Sequence, residues 1–299
     1  MLKLKVLLTG ASGVIAGQLL PAFRERYELT LLDTRVQNRA GENVEGIQLA
    51  DLCEKDRDRY RHFFKNIDAV VHCAFVGSSS IDGQEDTDAR FWHELANVQM
   101  AYNIYQTALE EGIRRVVVAS SNHAADYFES LILDGKHDYV QPEEKALSDN
   151  YYGWAKQAYE HLGFVFAVGK QSRASGFLDA KRLSAGRQLE NVQLRIGGPR
   201  ETDLEEVCAL GDMRCVRRAL AVYLSQRDMQ QLFIKSIETE DIRDKHGVPF
   251  QIFYGISQNS HAFWSITNAR KVIGYAPEDN SELKFAELIA KHIAAAKKF

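Results

Sequence analysis

Tyr152 and Lys156 stand four residues apart in YYGWAK, downstream of a Val-rich run that ends in Ser120-Ser121. On a helix, positions i and i+4 share one face about a turn apart. A phenol ionises near pH ~10 in water, so it works as a base at neutral pH only where a cation favours the phenolate. The Lys156 ammonium is such a cation, and a serine hydroxyl such as Ser121 can hold the oxygen being deprotonated. These are the parts needed to take a proton from a substrate hydroxyl.

The elements that must position this set begin at the N-terminus. Leu4 to Leu8 form a short apolar run, followed by Thr9, Gly10, Ala11, Ser12, Gly13 and a second apolar stretch from Val14. Strand, glycine turn and helix start in this order form the first βα unit of a dinucleotide fold. Gly10 permits the tight turn, and Gly13 permits close approach of a pyrophosphate to the helix N-terminal amides. Ala16 stands where a third glycine is usual, with Gly17 next, and a small residue still allows close helix packing.

The run YELTLLDTR closes on Asp33. An acidic residue here accepts hydrogen bonds from the adenosine ribose hydroxyls and repels a 2′-phosphate, which favours NAD over NADP. Arg35 keeps the alternative open, because a guanidinium there can reach a phosphate. With NAD as hydride acceptor the chemistry is complete: Ser121 holds the reacting oxygen, Tyr152 takes the proton, and Lys156 assists the tyrosine and holds the nicotinamide ribose.

Composition agrees with one α/β enzyme. The chain has 299 residues, 45% hydrophobic and 26% charged, with formal net charge −4. That balance excludes disordered and fibrous classes, and there is no basic field for nucleic acid or an anionic membrane. Cys53, Cys73, Cys208 and Cys215 show no CxxC pairing and no histidine at ligand spacing, so neither zinc nor a disulfide framework is expected. No apolar run approaches the ~20 residues of a membrane span, and no signal peptide opens the chain, so a cytoplasmic location with reduced thiols is expected.

Strand and helix signals alternate as a Rossmann-type doubly wound parallel sheet demands. VEGIQLADL reads as a third strand ended by Asp51 and Leu52, 56–65 as a helix, IDAVVHCAF as a fourth strand, and 88–112 as a long helix. IRRVVVASS is a fifth strand, NYYGWAKQAYEHLGFVFA a helix, and VQLRIGG a sixth strand. Residues 169–190 read as an insertion, either a surface loop or a lid. The expected domains are a Rossmann domain over 1–196 and, interwoven with it, a small substrate lobe over 197–299. That lobe holds a helical stretch GDMRCVRRALAVYLSQRDMQQLFIKSIE, the strand PFQIFYGIS and a terminal helix from about Ser281. Phe263 and Trp264 there either line the substrate site or pack the lobe.

The glycine turn, Asp33, Ser121 and Tyr152-x-x-x-Lys156 together resemble the extended short-chain dehydrogenase/reductases, in the NAD-dependent epimerase/dehydratase branch. ASSNHAADYF, the RIGG strand, YLSQRDMQQL and FYGISQNSHAFW are most similar to uronate dehydrogenases and neighbouring sugar dehydrogenases, over nearly the whole chain. The resemblance implies oxidation of a sugar's anomeric hydroxyl to a lactone. It implies cofactor contacts at Gly10, Ser12, Gly13, Val14, Ile15, Asp33, Asp51, Leu52, Ala74, Asn97, Tyr152 and Lys156, with Asn97 supporting the lysine through water. It implies substrate contacts at Ser78, Ser121, Asn122 and His123, with Arg218 gripping a substrate carboxylate; the alternative for Arg218 is a solvated helix arginine. His123 is either a second base or a polar wall. Two family serines fall on Gly77 and Gly198, with Ser78 the nearest substitute for the first.

By the same resemblance, the helices near 88–112 and 150–168 imply a homodimer. Two other functions use the same residues. A sugar-nucleotide epimerase or dehydratase would retain its NAD, and it usually carries a larger C-terminal lobe. A non-catalytic NAD(H) sensor or scaffold often loses the tyrosine or the lysine, and both are present here.

Overall fold

A computed structural model of the chain describes residues 3–77, 87–169, 186–200 and 203–296. Its strands are β1 (Lys5–Thr9), β2 (Glu28–Asp33), β3 (Ile47–Leu49), β4 (Ala69–His72), β5 (Arg115–Ser121), β6 (Glu190–Ile196) and β7 (Phe250–Gly255). They form one seven-stranded sheet in the order β3-β2-β1-β4-β5-β6-β7. β1 runs parallel to β2 and β4, β2 to β3, and β4 to β5, so the chain winds outward from β1 in both directions. The doubly wound α/β sheet is therefore the one expected. Val6, Leu7, Leu8, Val70, Val71, Val116 and Val117 are fully buried, which is why β1, β4 and β5 read as unbroken apolar runs.

The helices are α1 (Val14–Arg26), α2 (Asp58–Arg61), α3 (Thr87–Glu111), α4 (Tyr127–Leu133), α5 (Tyr151–Val168), α6 (Asp203–Glu206), α7 (Met213–Val222), α8 (Gln226–Glu238), α9 (Thr267–Ile273), α10 (Ser281–Lys284) and α11 (Ala286–Ala296). The helix expected over 56–65 is α2 followed by a 3-10 turn, His62–Phe64. The helical stretch after Gly211 is two helices. It breaks because Ser225 leaves the helix and its hydroxyl accepts from Asp228 N, capping α8.

The chain divides into two compact units. The first comprises Met1–Ala119, Asn150–Gln193 and Glu240–Gln251; the second comprises Ser120–Asp149, Leu194–Thr239 and Ile252–Phe299. In the first, Leu7, Leu32, Val70 and Val116 pack with Ile104 and Tyr105 of α3 and with Tyr159 and Phe166 of α5. In the second, Leu204, Cys208, Val216 and Leu220 form a smaller core under Leu288 and Ile289 of α11.

The cysteine expectation is corrected there. Cys208 and Cys215 are joined by a disulfide with Cα atoms 5.5 Å apart. Their separation of seven carries no motif, and only the turn from α6 into α7 brings them within bridging distance. Cys53 and Cys73 are free thiols. Most of the expected insertion, 170–185, lies outside the described residues, as does Ser78. Among the described residues no helix is long and apolar enough to cross a membrane.

Candidate functional site

In the first unit, Gly10 turns the chain out of β1 at φ +67°, and a Cβ there would lie 2.5 Å from the Ala74 backbone nitrogen. Only glycine fits both constraints. Gly13 N donates to Gly10 O at 2.9 Å. Gly13 is also the N-cap of α1 and brings no capping side chain, so the amides of a thirteen-residue helix open without a covering group. Val14 and Ile15 form that first turn. This cradle fits the pyrophosphate of a dinucleotide.

At the end of β2, Asp33 Oδ2 accepts from Ser12 N at 2.9 Å and Ser12 Oγ at 2.8 Å. Its Oδ1 accepts from Thr34 N at 2.7 Å. Arg35 Nε donates to the same Ser12 hydroxyl at 3.3 Å, so the carboxylate and the guanidinium both meet the glycine turn. Asp51 Oδ1 accepts from Cys53 N at 2.9 Å, and the carbonyl of buried Leu52 accepts from Asn103 Nδ2 at 2.9 Å.

α5 starts where the Asn150 side chain accepts from Gly153 N at 3.0 Å. That start places Tyr152 in the first turn and Lys156 one turn on, as the spacing predicts. Lys156 is buried, and its ammonium donates to Ala119 O near the end of β5 at 3.3 Å. Three rings surround it, with centroids at 5.1 Å for Tyr152, 5.4 Å for Phe75 and 5.0 Å for Tyr159. Phe75 meets Tyr152 edge-on at 5.6 Å.

The same cation shapes its neighbours. Burial, reinforced by Lys156, pushes His72 down to about 3. Burial raises Cys73 to about 12, with Lys156 opposing. His72 is therefore a neutral imidazole, its Nδ1 2.8 Å from Thr9 Oγ1 across the β1–β4 pair.

Asn97 is buried on α3. Its Oδ1 accepts from Val76 N at 2.8 Å, and its Nδ2 donates to Val76 O at 3.1 Å and Glu94 Oε2 at 3.3 Å. The asparagine thus clamps the backbone after β4 from both sides. Glu94 escaped the sequence reading: it is 1% exposed and pairs with Arg90 at 3.1 Å. Burial raises its pKa and Arg90 counters. His72, Phe75 and Glu94 carry no spacing signal; the nearest cue is a polar or aromatic residue interrupting an apolar run.

The second unit gathers the expected substrate residues. Ser121 caps a 3-10 turn over Asn122–Ala125, its hydroxyl accepting from His123 N at 3.2 Å. Asn122 Nδ2 donates to Glu129 Oε1 at 2.9 Å. Arg218 Nε donates to Glu129 Oε2 at 2.9 Å, and its Nη2 to Oε1 at 3.3 Å. Nη2 also lies 3.5 Å from His123 Nε2, while His123 Nδ1 lies 2.9 Å from Asp126 Oδ2. Arg218 is therefore not a solvated helix arginine. It holds a carboxylate, and the carboxylate is Glu129, which the sequence reading did not single out.

α7 presents Arg218 from a fixed start. Asp212 Oδ1 accepts from Arg214 N at 3.1 Å and Cys215 N at 3.0 Å, and the disulfide ties the same turn to Cys208. Phe263 and Trp264 are buried, with Trp264 stacked on Tyr254 at 4.8 Å, which makes them packing residues. Gly198 N donates to Val222 O at 2.7 Å, whereas a Cβ at Gly77 would meet open space.

The glycine turn, Asp33 and the Tyr152-Lys156 pair coincide with a family match over residues 6–175, to the model described as NAD dependent epimerase/dehydratase family. The chain belongs to the NAD dependent epimerase/dehydratase family. Its cofactor is accordingly NAD. The chain is similar to a uronate dehydrogenase of Pseudomonas syringae pv. tomato, 27% identical over 97% of this chain and 88% of the relative. It is also 27% identical to an NAD-dependent glucose-6-phosphate dehydrogenase of Haloferax volcanii, over 92% of this chain and 94% of the relative. Among solved structures, a glucuronic acid dehydrogenase from Chromohalobacter salexigens shares the fold with TM-score 0.69 at 24% identity, covering 97% of this chain and 89% of that one.

Proposed function

We propose that the chain is an NAD-dependent dehydrogenase that oxidises the anomeric hydroxyl of a sugar or sugar acid to a lactone. The observation that carries this reading is the buried Lys156 ammonium beside the Tyr152 ring and bonded to Ala119 O. A lysine ammonium whose nitrogen lies 5.1 Å from the centre of the phenol ring is placed to favour the phenolate. NAD, when bound, accepts the hydride. Tyr152 would take the O–H proton as the C1 hydrogen leaves as hydride and the C1=O bond of the lactone forms. Ser121 donates to the reacting oxygen. Lys156 stabilises the tyrosine anion and holds the nicotinamide ribose. Gly10, Ser12, Gly13, Val14, Ile15, Asp33, Asp51, Leu52, Ala74 and Asn97 would line the dinucleotide, and Asn122, His123 and Arg218 would border the sugar. The names of the relatives, two dehydrogenases of sugars or sugar acids, support the substrate class.

The test is NADH formation followed at 340 nm with a panel of aldoses and uronates, beside an assay of NAD retained through purification. Release of NADH in proportion to sugar supports the dehydrogenase. Tightly held NAD with no net reduction would instead identify an epimerase or dehydratase.

The chain acts as a homodimer in this reading. α3 and α5 carry an aromatic cluster in which Phe91 meets Trp92, Tyr151 and Trp154 at 5.3, 5.5 and 5.4 Å. Trp92 is 57% exposed and Tyr151 44%, an apolar surface of the kind that subunit contacts cover. Sedimentation equilibrium checks this: Trp92→Glu should shift the protein toward monomer, and a monomeric unmodified chain would end the dimer reading.

A further inference from the structure

The second unit contains a guanidinium whose fork is already filled by the protein's own carboxylate. We propose that Glu129 is a specificity residue: by occupying Arg218 it makes this unit select a neutral sugar and reject a sugar acid. The inference rests on the dehydrogenase reading above and narrows its substrate class.

Arg218 Nε and Nη2 reach the two Glu129 oxygens at 2.9 and 3.3 Å, the two-point geometry in which a guanidinium best holds a carboxylate. The Glu129 side chain is 13% exposed and that of Arg218 31%, so the pair sits largely out of solvent. Glu129 is further fixed by Asn122 Nδ2 at 2.9 Å. The remaining side of Arg218 faces His123 Nε2, and the other nitrogen of that ring meets Asp126. Arg218, Glu129 and Asp126 therefore bring one formal positive and two formal negative charges to one place. A uronate carboxylate arriving beside Arg218 would have to displace Glu129 or sit against it, and both are unfavourable. A neutral sugar hydroxyl meets neither cost. Discrimination of this kind comes from a repulsive group as much as from an attractive one.

The test compares D-glucose with D-glucuronate, and D-galactose with D-galacturonate, as kcat/KM for NAD reduction. It is run on the unmodified protein, on Glu129→Gln, and on the double variant Glu129→Gln with Arg218→Met. The unmodified protein should favour the neutral sugar by about tenfold or more, the scale of a lost charge-assisted hydrogen bond. Glu129→Gln removes the competing negative charge and one of the two acceptors on Arg218, and should raise the uronate-to-aldose ratio by about tenfold. The double variant has no cation to offer, and the gain should vanish. A preference of the unmodified protein for the uronate, or a ratio unchanged by Glu129→Gln, overturns the proposal. Calorimetric titration of the same sugars into NAD-saturated protein reads the same ratio without turnover. Absence of NADH from every sugar therefore counts against the dehydrogenase reading, while the binding ratio alone decides the charge selection. Failure of both sugars to bind either protein overturns the selection as well.

Discussion

Asp33 and Ser12 are bonded twice, the carboxylate accepting from the serine N–H at 2.9 Å and from its hydroxyl at 2.8 Å. The tip of β2 is thereby tied to the glycine turn that opens α1. A carboxylate fixed at this point opposes a 2′-phosphate by charge, and Arg35 donates through Nε to the same serine hydroxyl. The protein should use NAD over NADP by more than about tenfold in kcat/KM, and Asp33→Ala should narrow that ratio by about tenfold, the scale of hydrogen bonds to a charged group. More efficient turnover with NADP in the unmodified protein would remove Asp33 from cofactor selection.

Tyr152→Phe keeps the ring that faces Phe75 and the Lys156 ammonium and deletes only the oxygen. Turnover should fall by about 10²–10⁴-fold, the range for loss of general acid–base assistance. NAD affinity, read by fluorescence titration, should change little. An active Tyr152→Phe enzyme would show that the proton leaves by another route.

Asn97 satisfies both the N–H and the carbonyl of Val76 from a buried position on α3. Asn97→Ala strands both backbone groups, and each unsatisfied buried group costs about 1–3 kcal/mol. Val76 is half-buried, so urea unfolding should show a loss near the lower end of that two-group range, roughly 2–3 kcal/mol. A variant as stable as the parent would mean that water replaces the side chain at Val76.

His72 gives a pH dependence of definite sign. Its folded-state value is about 3 against an ordinary 6.5, because burial and then the Lys156 charge oppose protonation. Below the ordinary value the unfolded chain binds a proton that the folded chain refuses. Stability from this group is thus fully present above pH 6.5 and is lost as pH falls toward 3, at about 1.4 kcal/mol per pH unit. Urea titrations at several pH values should show this slope in the parent and a shallower one in His72→Gln. Equal slopes would place the acid sensitivity in other groups.

How much of this was legible in the sequence follows from range. The β1–glycine turn–α1 unit, Asp33 at the tip of β2 and the Tyr152-Lys156 pair were read correctly because each depends on neighbours within a turn or a strand. Burial of both sheet faces writes itself as continuous apolar runs, and helical geometry writes itself as an i, i+4 spacing. The break between α7 and α8 is also local, yet the Ser225 cap hides within a stretch of helix-favouring residues.

The sequence by itself determined the fold class, the cofactor and the placing of Tyr152 beside Lys156, since those follow from periodicity and from functional groups brought together by one helix. Only the tertiary structure decided what the substrate-side residues face. Arg218 meets Glu129 across 89 positions of chain, His72 meets Thr9 across 63, and Asn97 meets Val76 across 21. Cys208 and Cys215 are close in sequence but meet only because of the turn between α6 and α7. No periodicity encodes such encounters, because they are set by how whole elements pack. A guanidinium therefore looks the same in sequence whether it awaits a substrate carboxylate or already holds one of its own.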